Sequence, residues 1–212
     1  MTKVLIVDDQ KMSREHMAGS LCAEPGYEKA GEVASAEGAV DFCRRHPVDL
    51  VLMDVCTDGE MTGFAATAKI KAERPEIRVI IVTSMLDCDF LTLARRVRAD
   101  SLWYKDVPGE ELMSVVRRTM AGQSVFPRQS PSVTVGHAKS CEFTKTELSV
   151  LRLLVQGMTY NDIAREMGVA QVTVKKHVSS MLQKTGYTSK LRLAAEVVAK
   201  RLVVPGFDDF DL

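Results

Sequence analysis

Four short apolar runs in the first part of the chain each end in a residue type that can do chemistry. Lys3-Val4-Leu5-Ile6-Val7 runs into Asp8-Asp9, and Asp49-Leu50-Val51-Leu52-Met53 into Asp54. Val79-Ile80-Ile81-Val82 runs into Thr83-Ser84, and Ser101-Leu102-Trp103-Tyr104 into Lys105. Three carboxylates brought to one place repel one another, and a hard divalent cation relieves the repulsion. Oxygen donors plus retained water describe a Mg2+ site on Asp8, Asp9 and Asp54. A cation beside a carboxylate, a hydroxyl and an ammonium is what phosphoryl transfer needs. Asp54 would attack phosphorus as the nucleophile. Mg2+, Lys105 and the Thr83 hydroxyl would hold the equatorial oxygens. Taken singly, an Asp after a strand is as readily a turn former or a helix cap. The agreement of four run ends is what argues for one shared site.

The elements that must position these residues follow from the spacing. Runs at Val4–Val7, Tyr27–Ala34, Leu50–Met53, Val79–Val82 and Ser101–Lys105 alternate with amphipathic stretches near 12–23, 36–45, 63–73, 88–97 and 109–121. Five βα units of this length predict a parallel sheet covered on both faces by helices. The crossovers should be right-handed. In such a sheet, ligands gather at the carboxyl ends of the strands.

Whole-chain composition adds little: 212 residues, 46% apolar, 26% charged, with 28 basic and 28 acidic side chains and a formal charge of zero. The distribution is more telling. Residues 1–121 carry net −4, 122–141 net +2, 142–204 net +5 and 205–212 net −3. An acidic half followed by a basic one predicts two domains with different tasks, the second meeting nucleic acid. Residues 122–141, with Pro127, Pro131, Gly122 and Gly136, are expected to be the linker that lets the halves reorient. No apolar run approaches the ~18 residues of a membrane span, and Val4–Val7 is too short for a signal peptide. The five cysteines form no C-x-x-C pair, so reduced thiols in a cytoplasmic protein are expected, with no membrane partner.

The motifs Lys3-Val-Leu-Ile-Val-Asp8-Asp9, Asp49-Leu-Val-Leu-Met-Asp54, Val79-Ile-Ile-Val-Thr83-Ser84 and Trp103-Tyr104-Lys105-Asp106 resemble the receiver domain of two-component response regulators over residues 3–121. The resemblance implies a flavodoxin-like sheet of order 2-1-3-4-5, a strand order taken over from that fold rather than derived. It implies Asp54 as phospho-acceptor, Asp8 and Asp9 as the Mg2+-holding pair, and the Cys56 backbone carbonyl as a further metal ligand. It also implies Thr83 as the switch hydroxyl and Lys105 as the lysine of the family pattern. Three departures stand out. Asp58 occupies the usual proline place, and Gly63 lies nine rather than eight residues after Asp54, so the loop is one residue longer. Asp58 and Glu60 add charge near the metal, either altering phosphoryl lifetime or simply solvated. Leu102 stands where an aromatic switch residue is usual; Tyr104, of the same strand parity, either takes that role or covers a helix.

The second half predicts an all-α domain of four helices. Thr144-x-x-Glu147 opens a helix that runs through Gln156 and stops at Gly157. Thr159-x-x-Asp162 opens a second, Gly168-Val169 makes a tight turn, and a third runs from about Gln171 to Lys184. The inner stripe of the third is Val174, Val178, Met181 and Leu182. Its outer face offers Thr173, Lys175, Lys176, Ser179, Ser180, Gln183 and Lys184. A fourth helix spans about Ser189–Leu202. Short helix, glycine turn and basic helix make a helix-turn-helix. The third helix would enter the major groove of double-stranded DNA. Thr173, Lys175, Lys176, Ser179 and Lys184 are the candidate contacts to bases and phosphates. His177 either contacts phosphate or packs half-buried.

Phe143-Thr-Lys-Thr-Glu147-Leu-Ser-Val-Leu-Arg152, Thr159-Tyr-Asn-Asp-Ile-Ala164 and Gly168-Val-Ala-Gln-Val-Thr173-Val-Lys175-Lys-His177-Val resemble the LuxR-type domain of NarL/FixJ-family response regulators over residues 141–203. The resemblance implies that the fourth helix, with Leu191, Leu193, Ala194, Val197 and Val198, helps DNA-bound dimers form. Ala170 stands where a serine cap is common. Together these features point to a phosphorylation-controlled transcription regulator rather than an enzyme. A sensor histidine kinase would phosphorylate Asp54, and the change would free or dimerise the DNA-binding half. An Asp-nucleophile phosphatase would need a substrate cap, for which 121 residues leave little room. A phosphorylation-independent DNA-binding regulator, its receiver a protein-docking module, is the alternative. The acidic aromatic tail, 205–212, is expected either to fray or to fold over the basic helix and compete with DNA.

Overall fold

The computed structural model describes residues 1–87, 89–107 and 109–203. The tail expected to fray or to cover the basic helix lies outside the described residues. The chain divides into two compact units, one built on residues 1–84 and 89–129, the other on residues 85–87 and 130–203.

The first unit alternates strand and helix: β1 (Thr2–Val7), α1 (Lys11–Cys22), β2 (Tyr27–Val33), α2 (Ala36–Arg45), β3 (Leu50–Asp54), α3 (Gly63–Glu73), β4 (Arg78–Thr83), α4 (Phe90–Arg96), β5 (Ser101–Tyr104) and α5 (Leu112–Met120). The five strands form one parallel sheet in the order β2-β1-β3-β4-β5. β3 is buried at all five positions, as a central strand covered on both faces must be. Alternation splits its side chains between two cores. Leu50 and Leu52 join Val4, Ile6, Ile80 and Val82 in packing against Met17 and Leu21 of α1 and Leu112, Val115 and Val116 of α5. The odd-numbered residues point the other way. Phe64 of α3 and Phe90 of α4 meet edge to face there, ring centroids 5.1 Å apart. Removing each such side chain from water contributes roughly 1.5–3 kcal/mol. Ser35 and Thr62 cap α2 and α3, accepting from the amides of Gly38 and Ala65.

Register brings the chemistry to one edge. Val7 lies opposite Met53, Asp54 opposite Val82, and Thr83 opposite Tyr104. Asp8, Asp54, Thr83 and Lys105 therefore leave the sheet at the same end.

The second unit holds α6 (Lys145–Val155), α7 (Tyr160–Glu166), α8 (Gln171–Thr185) and α9 (Lys190–Ala199). Thr144 and Thr159 each close a reciprocal capping box, with Glu147 and Asp162. Leu148, Leu151, Ile163, Val174, Val178, Met181, Leu193 and Val197 form the core. Among the described residues no helix is long and apolar enough to cross a membrane.

The segment expected to be bare linker is structured at both ends. The Val125 carbonyl accepts from the Leu102 amide, and its own amide donates to Ser101 Oγ, so the chain after α5 runs on beside β5. Farther along, β6 (Thr134–Val135) and β7 (Ala138–Lys139) pair as a small hairpin. Val135 and Ala138 are buried in the second core. Gly136 turns the hairpin at φ +60°, where a Cβ would stand 2.0 Å from the Thr185 carbonyl oxygen. Two-residue strands carry too little periodicity to read in a sequence.

Candidate functional site

At the carboxyl edge of the sheet, oxygen atoms of Asp8, Asp9 and Asp54 lie within 4.8 Å of one another. Asp8 is fully buried and Asp54 is 5% exposed, while Asp9 faces solvent. The chain holds the buried pair firmly. Asp8 accepts from the Gln10 amide (2.9 Å) and the Ser13 hydroxyl at the entry to α1. Arg14 reaches back from α1 to the carbonyl oxygens of Asp8 (2.7 Å) and Asp9 (3.1 Å). Lys105 bridges the two strands, its Nζ 2.5 Å from Asp8 Oδ2 and 2.7 Å from Asp54 Oδ2.

The electrostatics follow from burial. Burial pushes the Asp54 carboxyl up to about 6; Lys105 opposes this and Asp8 adds to it. Asp9 is raised by burial, then by the charges of Asp8 and Asp58. Burial alone would lower Lys105, but Asp54 and Asp8 outweigh it and hold the ammonium charged. One ammonium thus faces three carboxylates. That surplus of negative charge, on hard oxygen donors, fits a divalent cation such as Mg2+. The Cys56 amide lies 3.4 Å from Asp54 Oδ1. Its thiol is pushed up to about 12 by burial and by Asp54 and Asp9, so it stays neutral.

The loop after Asp54, expected to be one residue longer than the family pattern, is held by contacts distant in sequence. Asp58 bridges to Ser35, and its amide donates to the Ala34 carbonyl. Thr57 Oγ1 accepts from the Ala36 amide. Glu37 Oε1 accepts from the amides of Glu60 (3.1 Å) and Met61 (2.7 Å). The loop is therefore tied to the junction of β2 and α2. Sequence reading missed Glu37, because its partners lie 23 and 24 residues away and no local pattern marks it. Asp58 and Glu60 are both exposed. Asp58 still adds to the upward push on Asp9. Gly63, at the start of α3, packs so close to β3 that a Cβ would fall 1.9 Å from the Asp54 carbonyl oxygen.

Thr83 is fully buried at the end of β4, and its carbonyl accepts from the Lys105 amide. Leu102 and Tyr104 are both buried, and Tyr104 stands opposite Thr83 in register. Trp103, of the other parity, sends its indole N–H to the Glu110 carbonyl.

In the second unit, Gly168 turns at φ +64° and the Val169 amide bonds the Ala164 carbonyl, closing α7 ahead of α8. Val174, Val178 and Met181 are 0–2% exposed and seat α8 on the core. Lys175, Lys176 and Ser179 are exposed on the opposite stripe, while Thr173 and His177 are half-buried at its flank. Lys184 is drawn inward. Its ammonium lies 2.7 Å from Glu147 Oε2 and 2.9 Å from the Glu142 carbonyl. Burial would raise the Glu147 carboxyl, but Lys184, the Thr144 amide and the Ser180 hydroxyl outweigh it and hold it low. Among the candidate DNA contacts, Lys184 is thus also a tie between α8 and α6. The stripe begins one residue earlier than the sequence reading placed it. Val172, in the first turn of α8, is 57% exposed. It lies two positions from Val174, about 200° around the helix, a signal that was available in the sequence.

Comparison with known proteins gives consistent findings. Residues 4–117 match the family described as "Response regulator receiver domain". Residues 142–197 match "Bacterial regulatory proteins, luxR family". The chain is 33% identical over 187 residues to the response regulator protein VraR of Staphylococcus aureus (strain NCTC 8325 / PS 47), covering 86% of this chain and 89% of the relative. Among solved structures, a two-component response regulator of the LuxR family from Aurantimonas sp. SI85-9A1 is 27% identical, covering 62% of this chain and 91% of that one, with a TM-score of 0.56. RcsB of Salmonella enterica serovar Typhimurium, solved bound to promoter P1flhDC in the presence of phosphomimetic BeF3-, shares the fold at 17% identity and a TM-score of 0.62, covering 92% and 97%.

Proposed function

Because the chain belongs to the response regulators, with a receiver domain ahead of a LuxR-type helix-turn-helix domain, we propose that it is a phosphorylation-controlled transcription regulator. The observation that carries the reading is the placement of Asp54: buried at a strand end, within reach of two further carboxylates, its oxygen bonded to the ammonium that also holds Asp8. A sensor histidine kinase, or a small acyl phosphate, is the donor. An Asp54 oxygen attacks phosphorus, the bond from phosphorus to the donor breaks, and its electron pair leaves with the donor. Asp8, Asp9, Asp54 and the Cys56 carbonyl would hold Mg2+, which when bound supplies positive charge beside the transferring oxygens. Lys105, kept charged by its carboxylate neighbours, pairs with one phosphoryl oxygen, and the Thr83 hydroxyl donates to another.

Phosphorylation replaces a carboxylate with a bulkier, more negative group. A state in which Thr83 and β5 engage that group is favoured by the difference in interaction alone. In that state two copies pair, and their α8 helices meet half-sites about one helical turn apart on double-stranded DNA. Lys175, Lys176, Ser179 and Thr173 face bases and phosphates, with Lys184 at the far end of the helix near the backbone. The protein works in the cytoplasm, and the phosphoryl group is its signal rather than a turnover product.

The test is intact mass after incubation with a small phosphodonor and Mg2+, on wild type and Asp54→Asn, with oligomeric state and DNA binding read on the same samples. A phosphoryl gain confined to wild type, with pairing and tighter DNA binding, is the expected result. No gain, with DNA binding unchanged in Asp54→Asn, would replace this reading with a phosphorylation-independent regulator.

A further inference from the structure

The exposed stripe of α8 opens on an apolar residue. Val172, Lys175, Lys176 and Ser179 follow one another at spacings of three, one and three, which puts them on one face of the helix. All four are exposed, and Val172 is 57% exposed in a helix whose core-facing valines, Val174 and Val178, are 0–2% exposed. Val172 thus stands outside the core that packs its own unit. The turn just before it carries a second exposed valine, Val169, at 38%. No acidic residue stands in the first turn of α8, and Ala170 at the cap makes no side-chain hydrogen bond. The leading end of the helix is therefore an apolar point on an otherwise cationic and hydroxyl-bearing face.

The chemistry of the major groove supplies one matching group. Apart from the flat C5–H of cytosine, the features that base pairs present there are hydrogen-bond donors and acceptors; the 5-methyl of thymine is the one apolar group that projects into the groove. In helix-turn-helix docking, the first residues of the second helix are the ones that reach base edges. Two lysines, three and four residues farther along the stripe, attract the phosphates that flank the groove. We propose that Val172 reads the 5-methyl group of a thymine in each half-site, a specificity element that rests on the assignment of this unit as a DNA-binding domain. Lys175 and Lys176 then supply affinity and register, while Val172 separates thymine from cytosine at one position.

The test uses the full chain treated with a phosphodonor and Mg2+. A duplex is selected from a random pool, and each thymine in it is replaced in turn by deoxyuridine, which removes the methyl and leaves the pairing groups intact. For wild type, one thymine per half-site is expected to cost about four-fold in affinity on replacement, the factor that burying one methyl-sized group supplies. For Val172→Ser the two duplexes should bind equally, and Val172→Ile should restore the preference. For Lys175→Ala, binding should weaken on both duplexes alike. A selected duplex on which no replacement matters, or on which Val172→Ser keeps the same loss, overturns the role of Val172 and leaves DNA binding standing. A pool from which wild type enriches no sequence overturns both.

Discussion

Replacing Gly63 by alanine tests whether Asp54, the proposed acceptor, is held by the contact between α3 and β3. A Cβ at this position would stand 1.9 Å from the Asp54 carbonyl oxygen, 2.9 Å from its carbonyl carbon and 3.0 Å from Met53 Cγ. The obstacle is backbone, so no rotamer relieves it. Reaching an ordinary contact of about 3.4 Å requires the start of α3 and the end of β3 to separate by about 1.5 Å. If α3 gives way, Phe64, Ala66 and Thr67, all fully buried, lose their fit to the sheet. Overpacking of this kind costs about 1–3 kcal/mol. If β3 gives way, the Asp54 carboxylate moves relative to Lys105, and a ~1 Å misplacement of a reacting group costs on the order of 10²-fold in rate. Gly63→Ala should therefore lose about 2 kcal/mol in urea unfolding at constant m, and its phosphorylation by a small donor, followed by intact mass, should slow by about two orders of magnitude. Gly19→Ala is the control, because nothing lies within 4 Å of a Cβ there. In the middle of α1 it should raise stability by about 0.5–1 kcal/mol and leave the rate alone. Wild-type stability and wild-type phosphorylation in Gly63→Ala would refute the close packing of α3 on β3 as what positions Asp54.

Four further outcomes follow from the same structure. The Asp54 carboxyl is raised from 3.8 to about 6, so the fold prefers its protonated form; that preference is fully present below about pH 4 and is lost as pH rises through 6. Without divalent ions, Asp54→Asn should then exceed wild type by up to about 3 kcal/mol at pH 7, at ~1.4 kcal/mol per pH unit, and by almost nothing at pH 4; added Mg2+ should stabilise wild type alone. Ala170→Ser should supply the side-chain acceptor that α8 lacks and add about 1 kcal/mol, read by thermal unfolding. Lys184→Met, which leaves Glu147 buried without its cation, should cost about 1–2 kcal/mol after discounting for the lysine's partial exposure. Lys175→Ala should leave stability unchanged and reduce the slope of log affinity against log salt by about 1.

The strand ends were legible because each is a local pattern: an apolar run followed by Asp, Thr or Lys. The same holds for the two threonine capping boxes and for Gly168 between α7 and α8. Three features were not legible. The loop after Asp54 is held by Glu37, whose amide partners are 23 and 24 residues away. Lys184 sits at a helical position that looks like part of a basic face, yet its nearest carboxylate is Glu147, 37 residues earlier. The stretch expected to be linker holds strands too short in pattern to reveal a hairpin, although Val135 and Ala138 are core residues of the second unit. Val172 belongs to a different class: its angle from Val174 is in the sequence, but apolar type alone suggests a core residue.

Local sequence therefore determined the two-part organisation, the alternation of strand and helix, and which residues could carry phosphoryl chemistry. Those properties depend on side-chain type and on periods of two and 3.6, which are read within a dozen residues. Tertiary structure decided the rest: that one ammonium spans Asp8 and Asp54, that burial lifts Asp54 to about 6, and that Gly63 leaves room for the Asp54 backbone. Each of these depends on distances between segments far apart in the chain and on the loss of water around buried charge, and neither is written in the order of the residues.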